Sequence, residues 1–376
     1  MELSQELRTL ANFSAGDALV ISIYLHTQWH DQHQQERVHT FLTRHLHQAQ
    51  ALMLDTDVAR SSLARDVERV AQWGQRLLDG SAGRLMPGMA LFACHAADVW
   101  VELSSPRPFE DAFVLDQRPA LRQLARLDED YHNALLVLVN SRAARVYEIV
   151  LGGIVGEVDF TNAFPGRHKQ GGWAQMRYQR HVQEHMARHH IEVATHVSAY
   201  LTAHPQTALM LSGPHDVVSH FRSTLPASLQ ERILETLRLD MHANRRRLLD
   251  AAQEVLQEYE QAEEHEAVQR VLDRVGQNGL AVVGLQTTLD AVNTARVQQL
   301  VMQHSMMLTG WRCMRCDYLM AQVVLPCPQC GGEVTTVDLG EAIVGAVFRT
   351  DGTVELVQPD ARLTPYEGIG ALVRYH

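Results

Sequence analysis

Nowhere in the sequence do eighteen apolar residues run together, so no membrane-spanning helix and no membrane partner are expected. The opening stretch MELSQELRTL lacks a cationic segment followed by an apolar one, which argues against a secretory leader and for the cytoplasm. A surplus of positive charge is also missing. The formal net charge is −11, which excludes a globally basic nucleic-acid binder and leaves RNA contact to local patches. Cysteine is scarce, at five residues. Cys94 lies in the apolar run GMALFAC and reads as a small buried residue. The other four form two CxxC pairs near the C-terminal end, which fits a reducing compartment and a metal site better than a disulfide framework.

What remains is ordinary globular material, 46% apolar and 20% charged. The length of 376 residues suggests two or three domains at about 100–200 residues each. In 1–129, ALVISIYL (18–25), GMALFAC and VWVEL read as strands. One His- and Gln-rich helical stretch spans about 31–79, and PALRQLARLDED (119–130) reads as a helix. This is an N-terminal α/β domain with no motif of catalytic type.

The segment 130–275 opens with three strand-like runs, ALLVLVN, ARVYEIV and IVGEVDF. A tight hairpin is expected around Gly152 and Gly153. Gly152, Gly153 and Gly156 lack the strand-to-helix context of a phosphate loop. One long helix is expected over about 173–203, ended by His204-Pro205, followed by a strand at 208–213 and helical segments over 214–275. In 276–376, short strands and helices alternate around the cysteine pairs, as in an α/β sandwich.

Two stretches carry chemistry. The first is KQGGWAQMRYQRH (169–181), a Gly-Gly pair at the head of a cationic helix. At about 100° per residue, Val182, Met186, His190, Val193, Val197 and Tyr200 share one face, which should pack on a sheet. Arg177, Arg180, His181, Glu184 and Arg188 fall on the opposite face. Over 163–190, five Arg or Lys (167, 169, 177, 180, 188) stand against Glu184, a local +4, and five histidines could add charge at lower pH. A basic face beside a flexible loop suits phosphate-backbone contact. His181-x-x-Glu184-His185 also matches an inverted zinc-peptidase pattern, but three arginines crowd that face and no clear third ligand follows.

The second stretch is Cys313-x-x-Cys316, ten residues, then Cys327-x-x-Cys330 followed by Gly331-Gly332. This is zinc-ribbon spacing, in which each CxxC presents two thiolates to one tetrahedral ion. Four thiolates close the coordination sphere, so a Zn2+ ion held by Cys313, Cys316, Cys327 and Cys330 is expected to be structural.

Together, the Gly-Gly loop before a long helix, the C-terminal α/β segment and the ribbon at 311–332 resemble the archaeo-eukaryotic class-one peptide release factor superfamily. That superfamily includes Pelota and the peptidyl-tRNA hydrolases of ribosome quality control, and the likeness is nearest to its bacterial branch. It covers about 130–376; 1–129 matches weakly. The resemblance implies an α/β protein of three domains. These are an N-terminal α/β domain (1–129), a central RNase H-like α/β domain (130–275), and a C-terminal α/β/α sandwich of the kink-turn-binding ribosomal protein type (276–376) carrying the ribbon. It further implies the ribosome and the tRNA acceptor end as partners, with a translational GTPase as a further candidate.

In release factors a Gly-Gly-Gln loop helps water attack the peptidyl-tRNA ester. Gly171 and Gly172 match its glycines, while Trp173 and Ala174 intervene before Gln175. By resemblance Gly171, Gly172 and Gln175 would be the catalytic group, Gln175 orienting water or the terminal ribose. Arg167, Lys169, Arg177 and Arg180, with His181 and Arg188 on the same face, would hold phosphates, and Trp173 would stack on a terminal base. No NIKS-like stop-codon-reading motif occurs in the first 130 residues. Two readings follow: a peptidyl-tRNA hydrolase that rescues stalled ribosomes, and a non-enzymatic ribosome-binding hibernation or stress factor that occupies the A site.

Overall fold

The computed structural model describes residues 3–29, 32–52, 56–80, 86–130, 133–161, 173–276 and 279–375, and over 173–183 the helix without its side chains. The chain forms two compact units, 130–261 and 1–129 together with 262–376.

The larger unit begins with α1 (Leu3–Asn12), β1 (Val20–His26), α2 (Gln32–Gln50), α3 (Asp57–Leu78), β2 (Gly88–Cys94), β3 (Val99–Ser105), β4 (Ala112–Asp116) and α4 (Arg122–Asp130). The strands form an antiparallel sheet in the order β3-β2-β1-β4. Alternate residues of β1 (Ile21, Ile23, Leu25) meet Val38, Leu42, Val67, Val70 and Trp73 of α2 and α3 in one core. The expected single helix over 31–79 is two. Thr56 interrupts it, because its hydroxyl accepts the Ala59 N–H at 3.1 Å and caps a new helix start. The strand β4 has no counterpart in the sequence reading.

The central unit holds β5 (Ala134–Val139), β6 (Ala143–Val150), β7 (Gly153–Thr161), α5 (Trp173–Ala203), β8 (Ala208–Ser212), α6 (His215–Thr224), α7 (Ala227–Gln230), β9 (Ile233–Leu237) and the first half of α8 (Arg245–Gly276). Its mixed sheet runs β7-β6-β5-β8-β9, with β5, β8 and β9 parallel and β6 and β7 antiparallel. Both faces of β5 are buried, which explains its unbroken apolar run. Leu135, Val137 and Val139 meet Val193, Val197 and Leu201 of α5 and Phe221 of α6. Ala134, Leu136 and Leu138 meet Leu248, Ala252 and Leu256 of α8. The β6–β7 hairpin turns on Leu151 and Gly152, both at positive φ (+48° and +71°), with Val150 paired to Gly153. The expectation of helix throughout 214–275 fails at β9. Ile233 and Thr236 are β-branched, and the segment extends the sheet by pairing with β8.

The chain then returns to the larger unit with β10 (Ala281–Val283), α9 (Leu285–Asn293), β11 (Val297–Gln303), β12 (Thr309–Cys313), β13 (Leu319–Met320), β14 (Val334–Asp338), α10 (Leu339–Arg349), β15 (Thr353–Val357) and β16 (Ile369–Val373). A sheet of order β10-β16-β11-β15 carries α9 and α10 on one face, through Leu289, Ile343, Val344 and Val347. The second half of α8 covers the other face through Ala267, Val268 and Val271. Gly370 permits that approach, since a Cβ there would lie 3.0 Å from Val271 Cγ1 and 3.1 Å from the Val282 carbonyl. Residues 262–276 therefore pack with the third segment, although the pattern places the segment boundary at 275/276.

Candidate functional sites: the four-cysteine cluster and the helix behind the Gly-Gly loop

The cysteines lie beside a small sheet of order β13-β12-β14, with Cys313 ending β12 and the other three in the turns between its strands. Each CxxC closes the same backbone knuckle. The Asp317 N–H donates to the Cys313 carbonyl at 3.0 Å, as Gly331 N–H does to Cys327 at 2.9 Å. The Cys313 N–H donates to Tyr318, and the Cys327 N–H to Gly332. The residue after each pair takes positive φ, Asp317 at +58° and Gly331 at +70°. A Cβ at Gly332 would crowd the knuckle, at 3.0 Å from Arg315 Cβ, 3.2 Å from Cys313 Sγ and 3.3 Å from Cys330 Sγ.

The four sulfurs all lie within 4.8 Å of one another. Cys313 and Cys330 are 3.4 Å apart, and Cys316 and Cys327 3.7 Å. Sulfurs on one tetrahedral zinc at about 2.3 Å would stand roughly 3.8 Å apart. The residues fit a tetrathiolate ion. Among the described residues, this is the one cluster of three or more His, Cys, Asp or Glu whose donor atoms converge.

The first knuckle is tied to the N-terminal segment. Arg118 donates to the Asp317 carboxylate and, at 3.0 Å, to the Phe13 carbonyl. Arg312, next to Cys313 and 4% exposed, donates to Asp116 at the end of β4. A third tie lies at α10. Glu341 Oε1 accepts the N–H groups of Leu121 and Arg122, capping α4 from another segment of the chain, and Arg122 donates to the His304 carbonyl. Burial outweighs those two N–H bonds and pushes Glu341 up to about 7, with Asp338 adding to the rise and Arg122 opposing it. None of these ties was expected from the sequence.

The helix α5 spans Trp173–Ala203, the limits expected from the pattern. His190, Val193 and Val197 are buried, Met186 and Tyr200 half-buried, and Glu184 and Arg188 exposed, as the wheel places them. His189, Ala194 and Leu201 widen the buried stripe. Two of the five histidines expected to add charge behave otherwise. Burial holds His189 below its usual range. Burial and the neighbouring His220 push His190 down to about 4. His190 Nδ1 stands 2.9 Å from His220 Nδ1, joining α5 to α6. Tyr200 donates to Glu148 at 2.5 Å, anchoring the far end of the helix to β6. Arg167, Lys169, Gly171 and Gly172 lie outside the described residues, as do the side chains of Trp173, Gln175, Arg177, Arg180 and His181.

No described helix is long and apolar enough to cross a membrane. Residues 119–257, which hold Gly171 and Gly172, α5 and the central sheet, match the model of bacterial archaeo-eukaryotic release factor family 10. The chain is 24% identical over 234 residues to peptide chain release factor subunit 1 of Archaeoglobus fulgidus. That match covers 60% of this chain, and the chain spans about half, 54%, of the relative's length. Among solved structures, ribosome-bound archaeal Pelota with ABCE1 is similar at 12% identity, over 100% of this chain and 95% of that one, with a TM-score of 0.43. Dom34 of S. cerevisiae, a translation termination-like factor involved in RNA quality control pathways and interacting with Hbs1, is similar at 9% identity. It covers 74% of each chain, with a TM-score of 0.40. Over residues 119–257, the chain is thus similar to the bacterial branch of the archaeo-eukaryotic release factor superfamily.

Proposed function

We propose that the protein is a ribosome-directed, release-factor-like factor that hydrolyses the peptidyl-tRNA ester on stalled ribosomes. The observation that carries this reading is the family match over 119–257, the segment that contains Gly171, Gly172 and Gln175. Gln is no strong base, so Gln175 would act by orienting water or the terminal ribose through hydrogen bonds. The two glycines would let the loop enter a narrow RNA-lined site. Arg167, Lys169, Arg177, Arg180, His181 and Arg188 would hold acceptor-end phosphates, and Trp173 would stack on a base. The central segment would be RNase H-like and the third of the kink-turn-binding ribosomal type. A zinc ion on the four cysteines would hold the ribbon together without taking part in hydrolysis. A translational GTPase would be the delivery partner, by analogy with the Hbs1 contact named for Dom34, and the site of action would be the cytoplasm.

A second reading is favoured by one observation, the two residues Trp173 and Ala174 that separate Gln175 from the glycines. On that reading the protein occupies the A site as a hibernation or stress factor and cleaves nothing. Both readings require ribosome binding. Co-sedimentation of the purified full chain with 70S ribosomes should be strong at low salt and weaken steeply as salt rises. Failure to sediment with ribosomes at low salt would remove both.

A further inference from the structure

The start of α8 concentrates positive charge where a helix dipole disfavours it. Helix N-termini carry partial positive charge and favour acidic residues in the first turn. Asp57 in α3, Asp216 in α6 and Glu341 in α10 follow this preference. The first turn of α8 has no acidic residue and instead holds Arg245, Arg246 and Arg247, all exposed. The helix start is otherwise well built, with the Asn244 side chain accepting the Arg247 N–H at 2.9 Å. Arg238 and His242, in the connection from β9, are exposed too. Against them stands Asp240, whose carboxylate accepts the His242 N–H.

Little of this charge is neutralised. Arg245 pairs with Glu157 at 2.9 Å, but that carboxylate is shared with Arg145. Arg246 reaches Asp250 only at 3.9 Å, with both side chains largely in solvent. Arg238 and Arg247 have no ion pair among the described residues. Stability does not account for three arginines at positions where the helix dipole disfavours positive charge. Local rules broken without a structural return tend to mark functional surface.

The partner's chemistry follows from what surrounds the charge. Protein interfaces draw their strength from buried aromatic and apolar anchors. The stretch 233–261 that carries these arginines exposes no large apolar side chain among its described residues, while Val155 and Val158 are exposed on the neighbouring β7. A surface dominated by guanidinium groups suits a polyanion bound by charge and by guanidinium–phosphate geometry.

We infer that Arg238, Arg246 and Arg247, with His242 beside them, form an RNA phosphate-backbone contact separate from the one proposed at the Gly-Gly loop. The choice of RNA over an acidic protein rests on the ribosome-directed reading above; the surface itself does not.

The test uses the full chain and two fluorescein-labelled RNA stem-loops of unrelated sequence, titrated across salt, with poly-L-glutamate as the acidic-protein probe. Wild type should bind both RNAs alike. R246E/R247E should weaken both alike and lower the log–log salt slope by about 2, one for each arginine replaced. Its thermal midpoint should equal or exceed that of wild type, because the helix dipole favours the new charges. Arg238→Ala, in the connecting loop, should lower the slope by about 1. Unchanged RNA binding in both variants would overturn the inference, as would poly-L-glutamate binding as tightly as RNA. If wild type binds the stem-loops through this surface yet ignores 70S ribosomes, the functional reading fails and the surface stands.

Discussion

Asp317 occupies the left-handed position of the first cysteine knuckle, and its carboxylate receives the guanidinium of Arg118 from the N-terminal segment. The knuckle's hydrogen bonds hold the Asp317 backbone, so whatever holds the four sulfurs together also aims this carboxylate. Arg312, one residue before Cys313, makes the reciprocal pair with Asp116. Acid and base are thus exchanged between the two sides, which fixes the register of one segment against the other.

Removal of the ion proposed for the four cysteines should therefore be felt beyond the cysteine cluster. Chelation, or Cys313→Ser, is expected to raise amide hydrogen exchange at Phe13 and over 116–118 while leaving the central sheet protected. Asp116→Ala leaves Arg312 buried with its main partner gone, and should cost about 3 kcal/mol in chemical denaturation. Unaltered exchange over 116–118 in the metal-free protein would disconnect the knuckle from the N-terminal segment.

Glu341 makes the larger unit sensitive to pH from the alkaline side. Its folded pKa of about 7 lies above the ordinary 4.5, so the folded unit holds this proton more tightly than the unfolded chain does. The contribution is fully present below about 4.5 and is lost as pH rises through about 7. Both N–H bonds fall on Oε1, which a glutamine can supply. Glu341→Gln should flatten stability between pH 4.5 and 7, whereas Glu341→Ala should lower it at every pH. A slope unchanged in the Gln variant would assign the titration elsewhere.

His190 acts in the opposite direction in the central unit. Its pKa, pushed down to about 4 by burial and by His220, means that the folded unit resists protonation. Stability is present above about 6.5 and is lost as pH falls toward 4. His189 is displaced the same way, with Glu192 opposing the effect of burial. Following α5 by tyrosine or tryptophan fluorescence, the acid limb should be shallower in His190→Phe than in wild type.

Much of this architecture is legible from local pattern. The end of α5 emerges because His204-Pro205 closes a continuous helical periodicity, and β5 because ALLVLV is an unbroken apolar run. The cysteine spacing predicts a metal-sized cluster, since a CxxC knuckle is set by a few adjacent residues. What pattern cannot show is pairing at long range. Asp116 and Arg312 are 196 residues apart, and Arg118 and Asp317 are 199. Each looks like ordinary surface charge until the fold brings it to its partner. The strand β9 is missed for a related reason, because ILETL has too few apolar residues to declare a period and becomes extended by pairing with β8. The buried state of His189 and His190 is hidden by the cationic residues around them.

The central claim meets its most direct test in single-turnover peptide release from 70S ribosomes carrying P-site peptidyl-tRNA and an empty A site. Wild type should release peptide, and Gln175→Ala and Gly172→Ala should release it at least tenfold more slowly while sedimenting with ribosomes as wild type does. Absence of release by wild type, with ribosome binding intact, would contradict the hydrolase and leave the A-site-occupying factor.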